Sequence, residues 1–299
     1  MMASFVHENP TPLRLVDSPG HLVILPLVMK PSHKGQMKGE APDADLYSRQ
    51  YFLSHCGGHE TYRESFGEKL DSRLSVLWAM SCTRPGMRVL DIGCGRGELA
   101  RRAGCAGALC WALDLSEEAL EITRETLSHA PQRARRMVVP VRGDASSLPF
   151  EGRSFDRVML SDILEHLPYE TMKMMLREVH RVLRPDGMAV FHTFPNRWFY
   201  DFHYPVLRAF LKWAKGLAPP RDPRSHYERL LHVNELSPLD LRRAFGECFS
   251  VRIWCAHRRR WRPQGGTFGR RWSILGLFTE PEIWGQASPK EIHKIPEGP

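Results

Sequence analysis

Val89-Leu90-Asp91-Ile92-Gly93-Cys94-Gly95-Arg96-Gly97-Glu98-Leu99-Ala100 decides the fold, because these twelve residues hold a buried strand, three alternate glycines and a helix start. The mainly apolar run from Met87 to Ile92 suits a central parallel strand, covered on both faces. The glycines let the backbone turn sharply and approach a ligand where any Cβ would collide. Asp91 then falls at the carboxyl end of the strand, the edge at which open α/β sheets bind ligands. The stretch reads as a loop for a nucleotide-containing cofactor.

A dinucleotide loop spaces its glycines G-x-G-x-x-G and seats a pyrophosphate. Here Gly93, Gly95 and Gly97 alternate behind Asp91. This D-x-G-x-G-x-G form resembles motif I of class I S-adenosylmethionine (SAM) methyltransferases. The resemblance implies that Gly93, Cys94, Gly95 and Gly97 face SAM, and that Asp91 meets its ammonium directly or through water. A glycine cluster also serves as a plain strand-to-helix turn, so the matching parts must follow in order.

They do. After a helical stretch from Arg96 to Cys105, the run Leu109 to Ser116 reads as a second strand ending in Asp114 and Leu115. An acid about twenty residues beyond the glycines suits a ribose-hydroxyl acceptor, and Leu115 joins it in the cofactor set. The competing reading is that Asp114 solvates the loop before a helix begun by Ser116, Glu117 and Glu118. A third strand, Met137 to Val141, leads into Gly143-Asp144-Ala145. Asp144 resembles the motif III acid that bonds the adenine amino group, with Ala145 beside the ring; Gly-Asp is also an ordinary turn pair. The fourth strand, Ser154 to Leu160, is entered at Asp156, a structural cap, and delivers Ser161 to the cofactor set. Met172, Met175, Leu176, Val179 and Leu183 recur at helical spacing as core filler. Arg184-Pro185-Asp186-Gly187 breaks that helix before a fifth strand, Met188 to Phe194.

The resemblance covers Met87 to Asn196. Its nearest patterns are bacterial small-molecule methyltransferases, including those of ubiquinone and menaquinone biosynthesis. It implies an α/β fold: a three-layer, doubly wound, seven-stranded and mostly parallel sheet of order 3-2-1-4-5-7-6. The last pair is expected at Phe249 to Ala256 and Trp272 to Phe278, after a helix from Ser237 to Cys248. Residues 45–281 form the methyltransferase domain, 1–44 a poorly packed extension and 282–299 a loose tail. Apolar positions between Tyr47 and Ala79 predict a helix, which the resemblance implies is part of a lid over the cofactor, with Tyr51, Phe52, Tyr62 and Phe66 lining it or serving as plain core. An aromatic-rich insertion, 195–236, is the expected acceptor cap.

Methyl transfer from a sulfonium needs an in-line nucleophile more than acid-base machinery, and positioning supplies much of the rate. For a hydroxyl acceptor, His166 sits where a base is wanted, with Glu165 beside it. Asp162, Glu165 and His166 share one face if the segment is helical. Their D-x-x-E-H pattern resembles a divalent-metal site described for ubiquinone O-methyltransferases, and can hold Mg²⁺ with waters. Equally, Glu-His-Leu can cap a helix and pack on the fourth strand. His192 reads as core; His203, His226 and His232 read as acceptor contacts or surface residues.

The chain carries 42 Lys and Arg against 34 Asp and Glu, a net charge of +8. Arg133 to Arg136, Arg258 to Arg262 and Arg270-Arg271 keep an RNA substrate open as a rival, although no RNA-binding module accompanies them. Seven cysteines without a C-x-x-C pair argue for a reducing, cytoplasmic setting and against structural zinc. Leu22 to Met29 is too short to span a bilayer. The helix expected from Pro205 to Lys215 opposes an apolar face to Arg208, Lys212 and Lys215, which suits a membrane surface or plain packing. The function expected is methyl transfer from SAM to a small-molecule hydroxyl, amine or carbon, such as a sugar, a lipid-linked intermediate or a secondary metabolite. A scaffold that keeps the fold without transfer is the alternative from another class.

Overall fold

A computed structural model describes residues 46–257 and 276–291, together with residue 42 and the short segments 261–262 and 267–268. Three helices come first: α1 (Arg49–Ser54), α2 (His59–Ser65) and α3 (Ser72–Ser81). The alternation of strand and helix then runs β1 (Arg88–Ile92), α4 (Glu98–Cys105), β2 (Leu109–Asp114), α5 (Glu117–Ser128), α6 (Gln132–Arg135), β3 (Val138–Arg142) and β4 (Phe155–Ser161). A 3₁₀ turn (Leu164–His166) precedes α7 (Tyr169–Val182) and β5 (Leu183–Thr193). The insertion contains α8 (Tyr204–Lys215) and α9 (His226–Leu231), followed by α10 (Pro238–Gly246) and β6 (Phe249–Cys255). A two-residue ladder, β7 (Trp261–Arg262) with β8 (Thr267–Phe268), α11 (Gly276–Thr279) and β9 (Ile283–Pro289) complete the chain.

The main sheet has the order β3-β2-β1-β4-β5-β9-β6. Counting only its own strands, this is the expected 3-2-1-4-5-7-6. β1 pairs in parallel with β2 and β4, and β9 runs antiparallel to both β5 and β6. Leu90 and Ile92 face one core with Met172, Met175, Leu176 and Val179 of α7, while Val89 faces the other with Leu74, Leu77 and Leu99. Each fully buried side chain of this size contributes about 1.5–3 kcal/mol. The strand order reverses between β1 and β4, so the carboxyl ends of β1, β2 and β4 open onto one crevice.

Two expectations need correction. The final strand was expected at Trp272 to Phe278, but the described part of that span is the helical turn of α11, and residues 272–275 lie outside the described residues. The strand is β9, inside the segment expected to be a loose tail. Its Gly285, Gln286 and Ala287 carry little apolar weight, so the sequence pattern is faint. Its partner supplies the bulk: at Gly285 the Phe191 ring of β5 occupies the space a Cβ would take. Apart from residue 42, the extension proposed for residues 1–44 falls outside the described residues, as do the arginines at 258–260 and 270–271.

Candidate cofactor and acceptor site

At the carboxyl ends of β1, β2 and β4 lies a cavity of about 650 Å³, within the usual size of a small-molecule pocket. The glycine loop forms one wall. Gly95 has φ +52 and Gly97 φ +75, conformations that side chains rarely adopt. At Gly97 a Cβ would also stand 2.7 Å from Thr123 Cγ2 of α5, so this glycine brings helix and loop together. The Gly95 amide donates to Asp114 Oδ2 at 2.9 Å, and the Ser116 amide donates to Oδ1 at 3.0 Å. Asp114 thus braces the loop and still lines the cavity, with lone pairs left for a further donor.

Asp91 is buried, and its Oδ2 has no hydrogen-bond partner. Burial pushes its carboxyl up to about 7, and the nearby charges of Asp114 and Glu98 push the same way. A buried carboxylate without a partner is costly unless a cation or donor arrives. The loop therefore fits the ammonium and sulfonium of SAM. Cys94, Leu115, Ala145 and Ser161 also line the cavity. Asp144 is directed into its own turn, accepting from the Ser146 amide at 2.6 Å and hydroxyl at 2.7 Å, while Gly143 and Ala145 reach the wall.

The lid is three short helices, because Gly58, Phe66 and Gly67 take left-handed conformations that interrupt the expected run. Tyr51 and Phe52 line the cavity, and Tyr62 anchors the lid through a 2.9 Å hydrogen bond with Thr126. Phe66 lies outside, stacked on His129 at 4.2 Å. Arg96, a residue between the glycines that the motif leaves unspecified, holds the lid. It donates to the carbonyls of Phe52 (2.8 Å), Cys56 (3.3 Å) and Gly57 (2.7 Å), pairs with Glu98 and lies 5.2 Å from the Tyr62 ring centre. Arg96→Met combined with Glu98→Gln, which avoids a stranded buried charge, is expected to free the segment around Cys56 to Gly58. Limited proteolysis there should accelerate by at least about tenfold, because losing even one charge-assisted bond worth about 1.5–3 kcal/mol favours local opening by that much.

Glu165, His166 and His232 also line the cavity. One carboxylate oxygen of Glu165 and one ring nitrogen from each histidine lie within 4.8 Å of one another. Glu165 is a clamp. Its carboxylate accepts from the Thr193 hydroxyl at 2.8 Å and the Phe194 amide at 3.3 Å, tying the 3₁₀ turn to the end of β5, and burial pushes it up to about 7. His166 Nδ1 is 2.9 Å from the Tyr47 hydroxyl, and burial lowers the imidazole to about 4. The His232 ring stands edge-on at 5.0 Å, and it too is pushed down, by burial and then by His166 and Arg224.

The set Asp162, Glu165 and His166 is not assembled. Asp162 has φ +51, which turns the chain before the 3₁₀ segment and breaks the helical face that would have aligned the three. Its carboxylate instead meets Arg73 and His192, so His192 is buried but also part of the cavity wall. The cluster that does form offers one carboxylate and two imidazoles, whereas Mg²⁺ favours oxygen ligands. These residues do not fit Mg²⁺. Tyr47, Arg73, Tyr227 and the place of His232 were not legible in the sequence, since each reaches the cavity from a distant element.

Residues 90–191 match the pattern of the Methyltransferase domain family. Over 178 residues the chain is 32% identical to a 2-phytyl-1,4-naphtoquinone methyltransferase of Synechococcus elongatus, covering 55% of this chain and 70% of that protein. The chain belongs to this methyltransferase family. It is also 37% identical over 111 residues to a demethylmenaquinone methyltransferase of Staphylococcus aureus, covering 36% of this chain and 43% of that one. The chain spans less than half the length of several such curated relatives. Among solved structures, a [4+2]-cyclase named SpnF superposes over 89% of this chain and all of its own, with TM-score 0.52 and 15% identity. That likeness concerns the methyltransferase fold alone.

Proposed function

We propose that this protein transfers a methyl group from SAM to a small aromatic acceptor whose reacting group is an acidic hydroxyl or a carbon activated by one. The observation that carries the reading is the unpartnered, buried Asp91 oxygen on the glycine-loop wall of the cavity. It marks a place where a cationic ligand relieves a standing electrostatic cost. Asp91, Gly93, Cys94, Gly95 and Gly97 would hold the methionine end, and Asp114 with Leu115 the ribose. Ala145 would pack on the base, with Asp144 shaping that turn and Ser161 at the wall. Arg73, which already pairs with Asp162 and Asp71, is the wall cation that would meet the cofactor carboxylate, since Arg96 is buried under the lid. When bound, SAM supplies a methyl on a sulfonium that departs as a neutral thioether, so this chain's work is to orient the acceptor and remove a proton.

His166 is the proton acceptor. With Nδ1–H donated to the Tyr47 oxygen, its Nε2 lone pair is available to the acceptor, a tautomer chosen on chemical grounds. A base held near 4 is always unprotonated at neutral pH but weak. It matches a phenol or enol far better than an aliphatic hydroxyl, since proton transfer is efficient between groups of closer acidity. The relatives' names, which specify naphthoquinone and menaquinone substrates, support an aromatic ring. Tyr51, Phe194 and Tyr227 furnish apolar surface for it.

The test combines calorimetric titration of SAM and S-adenosylhomocysteine with methyl-label transfer to a panel of phenols, hydroquinones, sugars and amines. Binding of both ligands with transfer to ring hydroxyls or carbons is expected. His166→Gln should lower turnover by about 100-fold and leave SAM affinity unchanged. Absence of SAM binding would end the assignment, and SAM binding with no transfer to any acceptor would favour a scaffold. Undiminished turnover in the His166 variant would reduce that residue to packing.

A further inference from the structure

The insertion carries an apolar ridge that the described residues leave more than half exposed, although Phe202 meets the Phe278 ring edge-on at 5.7 Å. Phe202, Val206, Phe210, Trp213 and Leu217 recur at intervals of four, four, three and four residues, one face of a helix. Their exposures are 55%, 68%, 53%, 84% and 52%, and α8 contributes no buried residue to the domain. A ridge of this size on an otherwise polar surface marks an interaction site. Its charge selects the partner. Residues 202–221 contain Arg208, Lys212, Lys215 and Arg221 and no carboxylate, and neither Lys212 nor Lys215 has an acidic partner among the described residues.

We propose that α8 docks this protein onto an anionic lipid surface. Tryptophan and phenylalanine fill the boundary between headgroup and acyl chain, while the lysines of the opposite, polar face add longer-range attraction to the phosphates, within about one Debye length. The helix is fixed in this attitude by the rest of the insertion. The Tyr204 hydroxyl donates to the Pro220 carbonyl at 2.7 Å, Arg208 Nε donates to the Pro219 carbonyl at 2.9 Å, and the Arg224 guanidinium lies 4.2 Å from the Tyr200 ring centre. The chain then returns from this brace directly into α9, whose Tyr227 and Leu231 line the cavity. The surface helix and the acceptor wall are thus one continuous unit, so a docked protein would present its cavity wall close to the lipid. No helix among the described residues is long and apolar enough to cross a membrane, so the contact is peripheral.

The experiment is co-sedimentation of the full chain with vesicles of phosphatidylcholine alone or with phosphatidylglycerol added. Partitioning onto the anionic vesicles should be at least about 25-fold stronger and should weaken with salt. Lys212→Gln and Lys215→Gln should each cost about fivefold, the equivalent of about 1 kcal/mol per cation. Phe210→Ser with Trp213→Ser should abolish partitioning without lowering the thermal midpoint, because both side chains are exposed. Sedimentation with neither vesicle would overturn the proposal, as would wild-type partitioning by the serine double variant. A dimer that this variant converts to monomer, in a protein that ignores vesicles, would assign the ridge to a second copy instead.

Discussion

Asp91→Asn is expected to weaken SAM binding by about 100-fold while making the unliganded protein more stable at pH 8. Both effects come from one atom. The carboxylate is buried without a partner at Oδ2 and is held up to about 7, against an unfolded value near 3.8. A carboxyl whose folded pKa is raised binds its proton more tightly in the folded state. The penalty is therefore absent below pH 4, grows as pH rises towards 7 and is complete above it, reaching roughly 4 kcal/mol at most. Asparagine removes that penalty, so the thermal midpoint of the variant should exceed that of the wild type at pH 8 and match it at pH 4. The same carboxylate is what a bound cation uses, and a charge-assisted bond in a buried site is worth about 3 kcal/mol. Because cation binding expels the proton, wild-type affinity should climb about eightfold between pH 6 and pH 7.5, and the variant should show a flat profile. Calorimetry across that range checks both halves. A variant that loses binding and stability together would mean that Asp91 is merely structural.

Gly285→Ala is expected to cost about 3 kcal/mol of stability, a large effect for one methyl group on a residue near the chain's end. The added Cβ would coincide with the Phe191 ring, which is itself stacked on Phe245 at 4.4 Å. The β5–β9 pair cannot part to admit it, because Trp284 next door is fully buried and its indole donates to the Ala256 carbonyl at 2.9 Å. Phe191→Leu in the same chain should recover about half of the loss, a coupling expected only for side chains in contact. Urea denaturation of the two single variants and the double variant measures it. Additive effects would show that β9 is not packed on β5 in this way.

The sheet was legible wherever apolar mass and turn residues coincide. Asp91, Gly93, Gly95, Asp114 and the α7 methionines stand at spacings that strand and helix periodicity impose. β9 was hard to read because only Ile283 and Trp284 are bulky and the small or polar Gly285, Gln286, Ala287 and Ser288 that follow dilute the pattern, while Phe191 fills the space beside Gly285. The lid's position was equally hidden. Arg96 looks like filler within the motif, and only the folded chain brings three carbonyls from residues 52–57 around its guanidinium.

For the candidate chemistry, local order could propose that Asp162, Glu165 and His166 share a face, since spacing is all that a sequence displays. One left-handed residue, Asp162, broke that alignment, and the partners came from far away: Tyr47 for His166, Thr193 for Glu165, and Arg73 with His192 for Asp162. The amino-acid order by itself determined the α/β architecture, which follows from periodicity and short-range turn geometry, and pointed to the family through the resemblance of its spaced motifs. Which side chains meet around His166 in the cavity, and which ridge of the insertion stays exposed, were decided only by tertiary packing, where contacts between distant segments carry no signature in local sequence.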